Sequence, residues 1–124
     1  RVKDLKSLGF RDPIKMISSS HTILGLSIGN IRSKFNYYKK AFNFESQEML
    51  KIIESCSTII CFSQKRISLV ARLFYEKSIT EGTALYKILF NPKKYITEED
   101  LRKYPKLRKA YLNYYEKQYR IHLK

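Results

Sequence analysis

The side chains with the most chemical potential in this chain are cations that recur where helices are expected to begin. Arg32 and Lys34, Lys65 and Arg66, and Lys93 and Lys94 form three pairs. Arg102, Lys103, Lys106, Arg108 and Lys109 then place five basic residues within eight. A helix N-terminus already favours an anion through its unpaired backbone N–H groups and its dipole. A lysine or arginine beside each start would repeat that attraction at intervals, which suits the phosphates of a nucleic acid. Contacts of this kind set affinity and register rather than sequence preference. Nothing comparable points to catalysis. The chain has no glycine-rich phosphate loop, no nucleophile elbow and no paired-carboxylate pattern, so no enzyme activity and no cofactor are expected. Two cysteines and two histidines are too few for a disulfide framework or for the usual four-ligand zinc site. Cys56 and Cys61 are expected as two buried thiols, and His21 and His122 have no partner pattern.

The wider composition agrees with a polyanion partner. The 124 residues include 25 Lys or Arg against 11 Asp or Glu, a formal charge of +14. Nucleic acid is the first candidate, and an anionic membrane surface stands well behind it. No apolar run approaches the roughly 20 residues that a membrane span needs. The 44% hydrophobic fraction is enough for a core. Residues 1–43 carry +7 (9 basic, 2 acidic), residues 44–79 carry +1 (5 and 4) and residues 80–124 carry +6 (11 and 5). There are 17 Lys and only 8 Arg in a chain rich in Ile, Tyr and Phe. A restricted codon pool produces the same bias, so only the spatial placement of the charges separates selection from passive drift.

The elements that must position these cations are legible as a repeat. Residues 15–31 (KMISSSHTILGLSIGNI) and 51–67 (KIIESCSTIICFSQKRI) are identical at seven of seventeen positions. Lys87-Ile88-Leu89 restarts the phrase 36 residues later and then degenerates into Phe90-Asn91-Pro92. Asp12, Ser46 and Thr80 are N-cap types spaced by 34, and Ser27, Ser63 and Thr97 form a second set spaced by 36 and 34. Pro13 suits a first helical position, and Glu98, Glu99 and Asp100 complement a helix dipole after Thr97. Ile28, Ile31, Phe35, Tyr38 and Phe42 step by three and four, as do Ile67, Val70 and Phe74. Leu107, Tyr111, Tyr114 and Ile121 share a face after Pro105. Tyr111, Tyr114, Tyr115 and Tyr119 offer rings for base stacking, but at helical spacing Tyr111, Tyr114 and Tyr115 are expected in the core or a half-buried cap. The short Thr-Ile-Leu and Thr-Ile-Ile phrases read as 3₁₀-like connectors. Gly9 reads as the C-cap of a preceding helix. The expected fold is all-α: an α-solenoid of about three two-helix repeats over residues 10–43, 44–79 and 80–124. It reads as one helical-repeat domain from the carboxy-terminal part of a longer chain.

These residues resemble the mitochondrial transcription termination factor family. The likeness rests on the unit Lys51-Ile52-Ile53-x-Ser55 followed by Ile59-Ile60, a serine cap and a second helix. It also rests on the junction Lys6-Ser7-Leu8-Gly9-Phe10 and the second-helix opening Asn30-Ile31-Arg32-Ser33-Lys34-Phe35. The resemblance covers Leu5 to about Tyr115. A proline that is common before the connector is replaced here by His21 and Ser57 and kept only as Pro92, and a proline that is common at the Ser33 position of the second-helix opening returns as Pro105. The resemblance implies a curved, right-handed solenoid whose basic concave side binds duplex DNA, or ribosomal RNA in some members. It implies a role in transcription regulation or ribosome assembly; the chain itself is expected to be a monomer. The compartment would be the mitochondrial or another organellar matrix in a eukaryote. In a bacterium it would be the cytoplasm, or a host cell after translocation. The rival reading is a protein-interaction solenoid, whose mark would be an exposed apolar groove.

Overall fold

In the computed structural model the backbone is described for residues 2–123, and side chains over that span except residue 83 and residues 116–123. Tyr119, Ile121 and His122, named above, therefore lie outside the described side chains. All regular structure among the described residues is helical. The chain divides into two compact units, Arg1–Phe62 and Ser63–Lys124.

The first unit contains α1 (Val2–Ser7), α2 (Pro13–Ser19), the 3₁₀ turn η1 (His21–Gly25), α3 (Ile28–Phe42), α4 (Ser46–Ser55) and the 3₁₀ turn η2 (Ser57–Cys61). Gly9 ends the α1 turn at φ +108. Its N–H donates to Lys6 at 3.0 Å, and Phe10 N–H reaches back to Leu5 at 3.3 Å. A β-carbon at Gly9 would also sit 3.1 Å from Leu50 Cδ1, a tight contact that would make the leucine shift, but it is the positive φ that favours glycine here. Asp12 caps α2 by accepting from Lys15 N–H at 3.1 Å, with Pro13 at the start. Ser27 does the same for α3 through Asn30 N–H at 3.1 Å. The α3 stripe Ile31, Phe35 and Tyr38 is buried, as the spacing predicts. Both connectors are 3₁₀ turns, as expected, and they pack on each other and on α2. Ile23, Ile59 and Ile60 fill the space between them and the helices. Tyr38 Oη donates to the Ile59 carbonyl, so the second helix is pinned to the following connector. Burial raises the Tyr38 pKa far above the phenolic range.

The second unit contains α5 (Gln64–Lys77), α6 (Gly82–Phe90), the single turn α7 (Pro92–Tyr95), α8 (Glu98–Lys103) and α9 (Pro105–Leu123). Ser63 caps α5 by accepting from Arg66 N–H at 3.2 Å. Ile67, Val70 and Phe74 are buried, together with Leu69 and Leu73. α9 packs along α5 and against α8, with Leu107 fully buried.

Four expectations are corrected. Ser46 is the first residue inside α4, and Glu45 is the N-cap. The Glu45 carbonyl accepts from Met49 N–H at 2.9 Å, which draws the buried Met49 into the helix one residue earlier than the serine suggests. Thr80 does not cap α6 either; Glu81 does. α5 ends at Ser78 in the left-handed region, with Ile79 N–H returning to Phe74 at 2.9 Å, and that closing turn delays the next helix start. The last connector is an α-turn, not 3₁₀, since Ile96 N–H bonds to Pro92 four residues back at 2.9 Å. Cys56 and Cys61 are free and half-buried, not buried, and burial raises the Cys56 thiol pKa.

Candidate nucleic-acid interface

The cations at the openings of α3 and α5 differ within each pair. Arg32 and Lys65 are exposed, whereas Lys34 and Arg66 are half-buried. Lys34 Nζ donates to the carbonyl of Phe62, the residue that ends η2. Burial of its stem lowers its pKa, with Cys61 opposing weakly. Arg66 Nε donates to Tyr114 Oη at 2.8 Å, and Nη1 donates to the Leu89 carbonyl at 3.2 Å. Its guanidinium lies 5.8 Å from the Tyr114 ring centre. Carbonyls at the end of a helix or turn lack intrahelical donors and sit at the negative end of its dipole, so a nearby cation satisfies them. Lys34 and Arg66 therefore brace their own units.

Lys93 and Lys94 stand exposed on α7. Lys93 Nζ lies 4.6 Å from the Tyr115 ring centre, and Lys94 Nζ lies 5.7 Å from that of Tyr95. Tyr115 in turn packs on Tyr111 and Tyr114, with ring centres 4.6 and 4.8 Å away. These three tyrosines are half-buried, and burial followed by the neighbouring phenols raises the Tyr115 pKa. Arg66 and Lys93 thus flank one aromatic cluster that seats α9 within its unit.

The α8–α9 corner gathers the remaining predicted cations. Thr97 opens α8 with a reciprocal cap: its hydroxyl accepts from Asp100 N–H, and its own N–H donates to Asp100 Oδ2, both at 3.1 Å. Asp100 is only 7% exposed, and its Oδ1 is 3.3 Å from Lys77 Nζ on α5. Burial alone would raise its pKa, but hydrogen bonds from Thr97 together with the Lys77 ammonium hold it below the usual carboxylate value. α8 stops at Tyr104, which is extended as the residue before Pro105 must be. Pro105 then opens α9, and Arg108 N–H closes the new turn on Tyr104 at 3.0 Å.

This break brings the last turn of α8 next to the first turns of α9. Arg102, Lys103, Lys106, Arg108 and Lys109 are all exposed there. Among the described residues no carboxylate pairs with any of the five. A groove of about 600 Å³ opens at the corner, lined by Leu101, Arg102, Pro105, Arg108, Lys109 and Leu112.

Of the predicted cations, Arg32 and Lys34 belong to the first unit and the other nine to the second. The second unit carries +9 (15 basic, 6 acidic) and the first +5 (10 and 5). Sequence reasoning missed three features. Leu112 lies off the Leu107–Tyr111 stripe and is 45% exposed, a signal that was available. The Lys77–Asp100 pair spans 23 residues, and the Lys34 and Arg66 carbonyl contacts span 28 and 23, so no local spacing announces them. Compared with family models, curated proteins and solved structures, the chain matches none.

Proposed function

We propose that the chain is a non-enzymatic nucleic-acid-binding helical-repeat protein that takes duplex DNA in preference to structured RNA and acts in transcription regulation. The observation that carries this reading is the α8–α9 corner: five exposed cations within eight residues, in a unit of charge +9. The mechanism is electrostatic. Lysines and arginines approach phosphates, condensed counterions leave, and the bound protein blocks or positions another machine. Lys65, Lys93 and Lys94 are further exposed cations of the same unit, and Arg32 is an exposed cation of the first. Lys34 and Arg66 hold the scaffold.

The same proposal includes the stacking of the helix–turn–helix segments as a right-handed α-solenoid resembling the mitochondrial transcription termination factor family. Its support is local: α2–η1–α3 and α4–η2–α5 repeat the same order of elements, and Ser27 and Ser63 open the second helix of each with the same hydrogen bond. Fluorescence anisotropy against duplex DNA, single-stranded DNA and RNA at several salt concentrations tests the function. If about five phosphates are neutralised, log affinity falls with log salt at a slope near −4 to −5 on duplex DNA. Absence of binding to all three at low salt would end this reading.

A further inference from the structure

We propose that the α8–α9 groove docks an acidic peptide segment through an apolar anchor side chain. The groove has two kinds of wall. Leu101, Pro105 and Leu112 supply an apolar floor, and Arg102, Arg108 and Lys109 supply a rim of three cations with no carboxylate among the lining residues. Leu112 is 45% exposed, on the side of α9 turned away from the fully buried Leu107. An apolar side chain left open in a groove that three cations also line is complementary to one peptide chemistry: an apolar residue flanked by Asp or Glu. The anchor would displace water from Leu112 and Leu101, and the flanking carboxylates would pair with the rim in an environment the anchor has dried.

Three alternatives fit the groove less well. A nucleobase needs an aromatic platform, and no aromatic residue lines the groove. A phosphate backbone needs exposed cations but gains nothing from a leucine floor. A second copy of this chain is opposed by charge, since each carries +14. The corner itself is held in shape by the Thr97–Asp100 cap, by the Lys77–Asp100 pair and by Pro105 at the α9 start, so the groove is pre-formed. This inference goes beyond the nucleic-acid reading and does not rest on it.

The test uses the full chain and a labelled twelve-residue peptide of Glu and Asp with a central Leu-Phe pair. A matched peptide carries Ser at both central positions. Duplex DNA of twelve base pairs is the third probe. Expected are saturable binding of the Leu-Phe peptide and a loss of about tenfold or more when Ser replaces the anchors, when Leu112→Ser is introduced, or when Arg102→Gln and Arg108→Gln are combined. The peptide arm requires no protein variant, and Leu112 is exposed enough that its replacement leaves the core alone. Equal binding of the two peptides, or no effect of Leu112→Ser, overturns the proposal and leaves a polyanion patch only. Duplex DNA losing as much affinity as the peptide on Leu112→Ser also overturns it, because Leu112 would then serve the phosphate-binding surface that its rim cations already belong to and would not be a peptide anchor site. The nucleic-acid reading fails on a different result, the absence of DNA binding to the unmodified chain at low salt.

Discussion

Arg66 and Arg102 are both arginines near a helix end in the same compact unit, and the fold uses them in opposite ways. Arg66 is half-buried and bonded to Tyr114 and to the Leu89 carbonyl, with its guanidinium 5.8 Å from the Tyr114 ring centre. Arg102 is exposed, with no carboxylate partner among the described residues. The difference follows from what lies within reach. α5 is covered by α9, so a long side chain at its opening meets carbonyl and phenol groups. The α8–α9 corner is a break in the chain with solvent beyond it. A charge beside a packed helix stabilises the fold, and the same charge at an uncovered corner is available to a partner. Lys34 repeats the first behaviour in the other unit, with the Phe62 carbonyl as its acceptor.

The contrast can be broken most directly by removing the exposed set. Arg102→Gln, Arg108→Gln and Lys109→Gln together should make the log affinity against log salt slope for duplex DNA shallower by about 2 to 3, with affinity falling on the order of 100-fold or more near 0.1 M salt. Urea denaturation of the same variant should show almost no change, within about 0.5 kcal/mol. A large stability loss would erase the distinction between the two sets.

The reverse experiment has the next largest effect. Arg66→Ala removes two hydrogen bonds from a half-buried cation and should cost about 2 kcal/mol in urea denaturation. Its slope on DNA should change by no more than about one. If Arg66→Ala weakens DNA binding as much as the triple variant while leaving stability intact, Arg66 belongs with the exposed set.

Asp100 sharpens the comparison, because it holds the corner on which the exposed cations sit. Asp100→Asn should cost about 1 kcal/mol at neutral pH, read by urea denaturation. The folded carboxyl titrates below its ordinary value, so the unfolded chain takes up its proton first as pH falls. The stabilisation is therefore complete above the usual carboxylate range and disappears as pH drops through the depressed value. The parent protein and the asparagine variant should converge in stability at that acid end, and a gap independent of pH would contradict the assignment.

The smallest effect concerns a residue with both characters. Lys93 is exposed but lies 4.6 Å from the Tyr115 ring centre. Lys93→Met should reduce stability by about 0.5 kcal/mol, measured as a small fall in the urea midpoint.

Element type and several boundaries were legible because their causes are local. Asp12, Ser27, Ser63 and Thr97 cap helices through N–H groups three residues away, and the apolar spacing from Ile31 to Tyr38 needs only one helix to be read. Ser46 and Thr80 misled for a related reason. A residue type permits a cap, but helix burial and the preceding closing turn decide whether the chain begins there. The basic segment at 102–109 was visible as composition. Its division into a groove rim and an open corner was not, because it depends on the break at Tyr104 and on α9 folding back along α5.

The sequence by itself determined an all-helical chain, most of its caps, two 3₁₀ connectors, and an excess of positive charge, several members of which lie beside helix starts while Lys93, Lys94, Arg102 and Lys103 fall in last turns instead. These follow from contacts within a few residues, where spacing and chemistry are enough. Tertiary structure alone decided which of those charges point into the protein and which point out. A cation finds its partner across 20 or more residues, as Lys34 and Arg66 do, and the cost of leaving a carbonyl or a buried charge unsatisfied is settled only when the helices meet.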